Sequence, residues 1–155
     1  MTIQREFSAG AVIFHIDESG EPQFLLLHYH FKGDYWDFPR GNLEGKESSM
    51  DAATREIQEE TGLAGKDIVF IPGLKESAQW FYVWKKVKRF KSVTYFLAES
   101  KKKEVKLSEE HLGYKWMPFD DAVVRLTYDN AKSILKKANE FLQKRPTVKK
   151  FLSDK

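Results

Sequence analysis

The hydrophobic pattern near the N-terminus predicts two adjacent β-strands. Residues 7–16 and 23–31 are rich in aliphatic and aromatic side chains, and the turn-forming run 17–22 separates them. Two such segments joined by turn formers are typical of a β-hairpin. A loop is expected from Lys32 onward, because Pro39 cannot occupy a central strand.

The segment after this loop has the spacing of a helix with recognisable ends. Ser48 is a favourable N-cap, and Gly62 is a natural helix terminator. Met50, Ala53 and Ile57 recur at helical spacing and should line one face. The pattern therefore predicts a helix between Ser48 and Gly62.

Strand-forming segments dominate the middle of the chain, and helices dominate its C-terminal third. Strands are expected at 68–71, 78–84, 92–98 and 114–117, with a lysine-rich connection between the second and the third. Pro118 suits the first turn of a helix over 119–126. A longer helix over 129–143, closed by Pro146, has the apolar stripe Ala131, Ile134, Leu135, Ala138 and Leu142.

This order of elements predicts one domain over residues 1–155 of mixed α/β (α+β) class, with helices packed on a β-sheet. Residues 146–155 are basic and are expected to form a flexible tail. No repeat, linker or second domain is indicated by the pattern.

Composition narrows the class of protein. With no cysteine among 155 residues, disulfide scaffolds and cysteine-ligated metal sites are excluded. No segment approaches the roughly 20 apolar residues of a membrane span, and the N-terminus lacks the apolar core of a secretory signal. A cytoplasmic location and no membrane partner are therefore expected. The net charge of +3 does not by itself argue for nucleic acid.

Charge position is more informative than total charge. Residues 44–60 hold six acidic and two basic side chains in a chain that is positive overall. On a helix, Glu56, Glu59 and Glu60 converge within one turn and repel one another, and a divalent cation would relieve that repulsion. Hard oxygen ligands select Mg²⁺, or Mn²⁺ as a substitute. A solvated acidic helix face is the alternative interpretation of the same spacing.

The same stretch resembles the signature of the Nudix hydrolases. That signature is Gly, five residues, Glu, seven residues, Arg-Glu, an aliphatic, any residue, Glu-Glu, any residue, Gly, an aliphatic. Every defined position is filled, by Gly41, Glu47, Arg55, Glu56, Ile57, Glu59, Glu60, Gly62 and Leu63.

The resemblance implies a fold and a chemistry. The implied fold is a mixed sheet sandwiched between helices, and the implied reaction is hydrolysis of a nucleoside diphosphate linked to another group. It also implies metal ligands at Glu56, Glu59 and Glu60, with the backbone carbonyl of Arg40 often joining them. Glu56 or Glu59 is the candidate general base.

Further family features assign roles outside the helix. Glu47 and Arg55 would organise the carboxylate cluster, and Arg55 also lies four residues before Glu59. Family enzymes often use one more acid from a loop before a late strand. Here that loop offers Glu110, with neighbouring Glu109 as the other choice. His111 would either orient phosphate or, more simply, form structural hydrogen bonds.

Within the superfamily the chain resembles asymmetrical diadenosine tetraphosphate hydrolases. The resembling segments are 8–14, 24–27, 35–41, 91–98 and 107–116. Two departures stand out: Arg40-Gly41-Asn42 replaces the usual Lys-Gly-His, and Gly45-Lys46-Glu47 replaces Pro-Gly-Glu. The resemblance implies Mg²⁺-dependent cleavage of diadenosine tetraphosphate into ATP and AMP.

A dinucleoside substrate would need a platform for adenine. Trp80, Tyr82 and Trp84 share one face of a strand, while Phe81 and Val83 share the other. If Phe81 and Val83 are buried, the first face is open for base stacking. Alternatively, these aromatic side chains cover the core or a dimer contact.

The polyphosphate would need positive charge. Arg40 and Lys91 are the candidate phosphate contacts, and Tyr128 is a second stacking candidate. The basic run 85–91 either draws in phosphate or is a solvated hairpin tip.

Two other functions stay open at this stage. One keeps the chemistry but acts on RNA 5′-triphosphate ends or nucleoside triphosphates, because the basic segments suit RNA. The other is an inactive nucleotide- or RNA-binding module, although no box carboxylate is missing. The sequence does not indicate an oligomeric state.

Overall fold

A computed structural model describes residues 2–30 and 33–145. Within these residues, seven strands and three helices occur in the order β1 (Gln4–Ile16), β2 (Pro22–Tyr29), β3 (Tyr35–Asp37), β4 (Arg40–Asn42), α1 (Ser49–Thr61), β5 (Ile68–Trp84), β6 (Val87–Ser100), β7 (His111–Met117), α2 (Phe119–Arg125) and α3 (Asp129–Lys144). The expected tail, residues 146–155, lies outside the described residues.

Strand β1 is the centre of one mixed sheet. It runs antiparallel to β2, as the predicted hairpin requires, and parallel to β6 from Gln4 to Phe14. Strand β4 pairs antiparallel with β1, β3 and β7 pair with β2, and β5 forms the far edge on β6. The sheet therefore brings segments distant in sequence to both sides of β1.

Both faces of the sheet are covered, which confirms the expected sandwich. Helix α1 packs on one face against small side chains of β1, so helix and sheet approach closely; that core contains Ala9, Ala11, Ile13, Ala52, Ala53 and Ile57. Helices α2 and α3 cover the other face through Val12, Phe14, Leu26, Ala122, Ile134 and Leu135. No helix in residues 2–30 and 33–145 is long and apolar enough to cross a membrane.

Helix α1 has the predicted ends. The Ser48 hydroxyl accepts a hydrogen bond from the Asp51 amide at 3.0 Å, and Gly62 closes the helix with a φ of 73°. Glycine adopts that left-handed conformation more readily than residues with a side chain, which makes it a common helix terminator. The predicted buried face is wrong at Met50, which is 38% exposed, whereas Ala53 and Ile57 are buried.

The middle of the sheet differs from expectation. The two segments predicted at 68–71 and 78–84 form one strand, β5, whose register shifts between Phe70 and Lys75. The predicted lysine-rich connection shrinks to a two-residue turn, Lys85–Lys86, with φ angles of 52° and 63°. The loop expected after β2 contains the short strands β3 and β4, with Pro39 between them.

Candidate active site

Arg55 of α1 lies at the centre of an ion-pair network. Its Nε and Nη2 donate to the two carboxylate oxygens of Glu47 at 2.7 and 3.0 Å. Its Nη1 donates to Glu56 at 2.8 Å and, less closely, to Glu59 at 3.3 Å, and Nη2 also donates to the carbonyl of Asn42 at 2.9 Å. The main partner of Arg55 is therefore Glu47, outside the helix, rather than Glu59 one turn later. Arg55 therefore links Glu47 to two of the box carboxylates, while the organising role of Glu47 and Arg55 stays a prediction.

The Glu56 carboxyl group packs directly against the Gly41 backbone. A Cβ added at Gly41 would lie less than 3.0 Å from the Glu56 carboxyl atoms. Glycine at position 41 thus lets the β4 backbone approach this carboxylate. Burial, together with the nearby charges of Glu60 and Glu59, raises the pKa of Glu56 to about 7, against the lowering effect of Arg55.

Glu60 is buried and fully engaged. Its Oε1 accepts from the Arg40 amide at 2.8 Å, and its Oε2 accepts from the Tyr29 hydroxyl at 3.0 Å. The Nε2 of His111 lies 2.7 Å from Oε2. Burial raises the pKa of Glu60, although these partners favour its charged form. Glu60 therefore ties α1 to the backbone of the residue before Gly41.

His111 has the position of a structural residue. Its side chain is fully buried, and its Nδ1 lies 2.9 Å from the Ser108 hydroxyl. The imidazole thus joins the buried Glu60 to the loop that precedes β7. That loop carries Glu109 and Glu110, both exposed, toward the same cavity as the α1 carboxylates.

The three box carboxylates do not form a ready-made metal site. Glu59 is the most exposed of them, with 56% of its side chain accessible, while Glu56 and Glu60 are held by protein partners. Among residues 2–30 and 33–145, no three acidic or histidine side chains are grouped as metal ligands. The expected convergence of Glu56, Glu59 and Glu60 is therefore not seen in this arrangement of side chains.

A cavity of about 1130 Å³ lies above these carboxylates. Its far wall comes from β1, β5 and β6. There the Tyr82 hydroxyl donates to Glu6 at 2.5 Å, and the Lys91 ammonium donates to the Asn42 side chain at 3.0 Å. Burial and the bond to Glu6 raise the pKa of Tyr82 to about 12, so its hydroxyl stays protonated at neutral pH.

Aromatic rings and a buried cation complete the cavity. Tyr35 lies with its ring centroid 5.5 Å from that of Tyr128, and both rings line the space. The Arg40 guanidinium pairs with the buried Asp37 at 3.2 Å and lies 5.9 Å from the Trp80 ring. Arg40 is thus fixed at the floor of the cavity by protein contacts.

The structure brings most of the proposed site residues to this cavity. Those that line it are Arg40, Glu56, Glu59, Glu60, Tyr82, Lys91, Glu110 and Tyr128. Glu47 and Arg55 are not among the lining residues and support it through the network described above.

One proposed stacking residue does not reach the cavity. Trp84 is 36% exposed and is not among the lining residues. The condition set for an open stacking face is not met either, because Phe81 and Val83 are 58% and 68% exposed rather than buried. The end of the β5–β6 hairpin extends beyond the two core clusters, and within residues 2–30 and 33–145 no helix residue packs on it in either cluster.

Several residues that line the cavity have no role predicted from the sequence, and Tyr35, Asp37 and Glu6 are those with the most polar contacts there. Tyr35 and Asp37 lie in the segment 35–41, whose resemblance to the family was noted without assigning them a role. Glu6 lies at the start of β1, and no local pattern singles it out. Its partners Tyr82 and Lys91 are more than 70 residues away in sequence.

Comparison with known proteins settles the family. The NUDIX domain pattern matches residues 6–138, which is most of the chain. This chain belongs to the NUDIX domain family. The family resemblance and the fold predicted from the sequence are thereby confirmed, and the chain is a Nudix hydrolase. Such hydrolases generally use a divalent metal.

Relatives narrow the similarity within the Nudix family. The pig bis(5′-nucleosyl)-tetraphosphatase (asymmetrical) is 34% identical to this chain over 122 residues. The alignment covers 77% of this chain and 80% of the pig protein. The Caenorhabditis elegans enzyme of the same name is 32% identical over 136 residues, covering 87% and 95%. A crystal structure of a C. elegans Ap4A hydrolase binary complex superposes with a TM-score of 0.79 at 32% identity, covering 89% of this chain and 98% of that one.

Proposed function

We propose that this protein hydrolyses diadenosine tetraphosphate asymmetrically, giving ATP and AMP, with Mg²⁺ as its cofactor and Mn²⁺ as a substitute. The observation that carries the proposal is that a single cavity joins the box carboxylates to a wall of aromatic and cationic side chains. A volume of about 1130 Å³ exceeds what one drug-sized ligand needs, which suits a substrate with two nucleosides. The names of the pig and nematode relatives support the same substrate.

The donor chemistry of the site fits a hard divalent cation. Glu56, Glu59 and Glu60, the carbonyl of Arg40 and the carboxylate of Glu110 offer oxygen atoms only. Burial raises the pKa of Glu56 and Glu60 and thus favours their neutral forms. A nearby cation would act in the opposite direction and favour the charged carboxylates. Magnesium commonly takes one or two protein carboxylates and completes its shell with water and phosphate, so three preformed ligands are not required. When bound, the ion would neutralise charge on the phosphoryl oxygens and lower the pKa of the attacking water.

The chain itself supplies a base and holds it in place. Glu56 or Glu59 accepts the proton from water, since both line the cavity beside the expected phosphate position. Arg55 contacts both carboxylates and restricts their rotamers. Glu47 in turn fixes the guanidinium of Arg55 through two hydrogen bonds.

Side chains around the rest of the cavity select the substrate. Lys91 and Arg40 place positive charge along the polyphosphate, while Tyr82 and Tyr128 offer ring surface to the nucleosides. Trp84 has no part in this proposal, because it does not line the cavity.

The decisive experiment is a product analysis. Purified protein is incubated with diadenosine tetraphosphate and Mg²⁺, and the nucleotides are separated by ion-exchange chromatography. Equal amounts of ATP and AMP are expected, with no ADP. Parallel reactions contain 5′-triphosphorylated RNA or deoxynucleoside triphosphates. Two ADP per substrate would reject the asymmetrical cleavage, and faster turnover of RNA ends would assign the alternative substrate.

The proposal also covers the domain organisation and the cellular location of the protein. We infer that residues 1–155 act as a single domain in the cytoplasm. Limited proteolysis of the full chain should leave one resistant core rather than two. Fractionation of the source cells should recover the protein with cytosolic markers.

A further inference from the structure

The β5–β6 hairpin has a second surface, on the face opposite the cavity. In register, Arg5 of β1 pairs with Phe90 of β6, and Phe90 pairs with Phe81 of β5. Lys88 likewise pairs with Val83. Directly paired residues share one face of a sheet, and Phe7 joins them two residues after Arg5. We call this surface the aromatic-basic face; it consists of Arg5, Phe7, Phe81, Val83, Lys88 and Phe90.

This face is open within the part of the chain that the structure describes. Phe7, Phe81 and Val83 are 51%, 58% and 68% exposed. Helix α1 covers the same side of the sheet only further along, over Ala9 and Ala11. Large apolar side chains clustered in this way, rather than scattered singly, mark an interaction surface.

The rings present their faces to long cationic side chains. The Lys88 ammonium lies 5.2 Å from the Phe81 centroid, and the Arg5 guanidinium lies 5.7 Å from the Phe90 centroid. The two phenyl rings are themselves 5.1 Å apart. A planar ligand can therefore replace either cation above a ring, while the displaced cation turns to a neighbouring negative group.

The charge of the face selects the ligand. None of its six residues is acidic, and the adjoining turn, Lys85–Lys86, adds two lysines. Planar groups joined by negative charges are the chemistry of a nucleic acid whose bases are unpaired. We propose that the aromatic-basic face binds single-stranded nucleic acid, with bases stacked on Phe81 and Phe90 and phosphates beside Arg5 and Lys88.

Two other occupants fit less well. A second copy of the chain, related by a two-fold axis, would bring Arg5 and Lys88 toward their own copies, and like charges would oppose the contact. Insertion into a lipid bilayer requires an apolar tip, whereas the tip of this hairpin is Lys85–Lys86.

The proposed face is separate from the cavity. Along β5, Trp80 and Tyr82 line the cavity, whereas the side chains of Phe81 and Val83 lie on the opposite face. A substitution on the aromatic-basic face should therefore weaken nucleic-acid binding and leave the hydrolysis rate unchanged. This inference and the proposed function can thus fail independently.

The test is fluorescence anisotropy with labelled 12-nucleotide oligouridylate and oligodeoxyuridylate, which differ only in the 2′-hydroxyl group. The proteins are the parent, Phe81→Ala and Val124→Ala, all as full chains. Val124 is a matched control, because it is an apolar side chain 79% exposed on α2 and outside the face. We expect the parent and Val124→Ala to bind both probes, more weakly at 200 than at 50 mM NaCl, and Phe81→Ala to bind at least about fivefold more weakly. All three should hydrolyse diadenosine tetraphosphate at equal rates.

Several results would overturn the proposal. These are no binding to either probe, equal binding by Phe81→Ala, or equal binding of a duplex of the same length. A Phe81-dependent dimer in sedimentation, or Phe81-dependent binding to vesicles of anionic lipid, would assign the face to those partners instead. A preference for the RNA probe over the DNA probe would support the proposal and add a contact to the 2′-hydroxyl group.

Discussion

Replacing Gly41 with alanine tests the close approach of β4 to Glu56. The added Cβ would lie below 3.0 Å from the Glu56 carboxyl atoms, and ordinary contact begins at 3.4 Å. The carboxyl group must therefore move by roughly 1 Å, a displacement that costs on the order of 10²-fold when it misplaces a catalytic group. We expect kcat for diadenosine tetraphosphate to fall by about that factor.

The same substitution should leave the fold intact. The atoms displaced are the end of a flexible side chain, and the backbone of Gly41 is not in the left-handed region. Alanine also restricts the unfolded chain, a gain of about 0.4–1 kcal/mol at an unstrained site, which here offsets the cost of moving the Glu56 side chain. Thermal denaturation followed by circular dichroism should thus show an unchanged or slightly raised midpoint, while turnover is low.

Gly65→Ala is the matched control for this experiment. A Cβ at Gly65 would meet nothing within 4 Å, so turnover and midpoint should both stay close to those of the parent. Should Gly41→Ala retain more than half of the parent activity, the argument that this glycine positions Glu56 would be refuted. Loss of folding in Gly41→Ala would also contradict it.

Three further predictions concern single side chains. Glu59→Gln removes a charge and little volume, so turnover should be almost abolished with no change in the unfolding midpoint; equal turnover in mutant and parent would reject the role of Glu59. Tyr82→Ala should raise KM for dinucleosides, whereas Trp84→Ala, outside the cavity, should not; the reverse result would move the nucleoside site. A hydrogen bond from the Ala64 amide and the charge of Lys102 outweigh desolvation and lower the pKa of Asp67 below 3.8. The charged carboxylate of Asp67 therefore contributes fully to stability above pH 3.8, and this contribution is lost as the pH falls through the lowered pKa. Asp67→Asn should therefore lower the unfolding midpoint at pH 7, and the difference from the parent should shrink as the pH falls below 3.8.

The sequence predicts those elements of the fold whose signals are local. Helix α1 is defined by its own cap and terminator, and α3 by the buried stripe of Ala131, Ile134, Leu135 and Ala138. The hairpin of β1 and β2 is likewise marked by its turn residues. In each case the residues that decide the structure lie within a few positions of one another.

The β5–β6 hairpin was harder to predict because its signals are misleading. Pro72 and Gly73 normally mark the end of a strand, but here they lie inside β5, at the register shift between Phe70 and Lys75. The turn at Lys85–Lys86 has positive φ angles that normally favour asparagine or glycine, so its sequence does not indicate a two-residue turn.

The site also has one part with local sequence signals and one part without them. The box spacing places Arg55, Glu56, Glu59 and Glu60 on one helix, and the structure agrees. The wall opposite depends on strand pairing between distant segments, such as Glu6 beside Tyr82, and no periodicity within either strand reports that contact.

Strand β5 uses consecutive residues for unrelated surfaces, with Tyr82 on the cavity wall and Phe81 turned away from it. An insertion of one residue upstream of Trp80 would exchange every side chain between the two surfaces beyond that point. Because this end of the hairpin extends past the helices, the hydrophobic core would tolerate the exchange far better than the substrate wall would. Homologues that vary in length here are therefore expected to do so by two residues at a time, preserving the alternation while lengthening or shortening the ribbon.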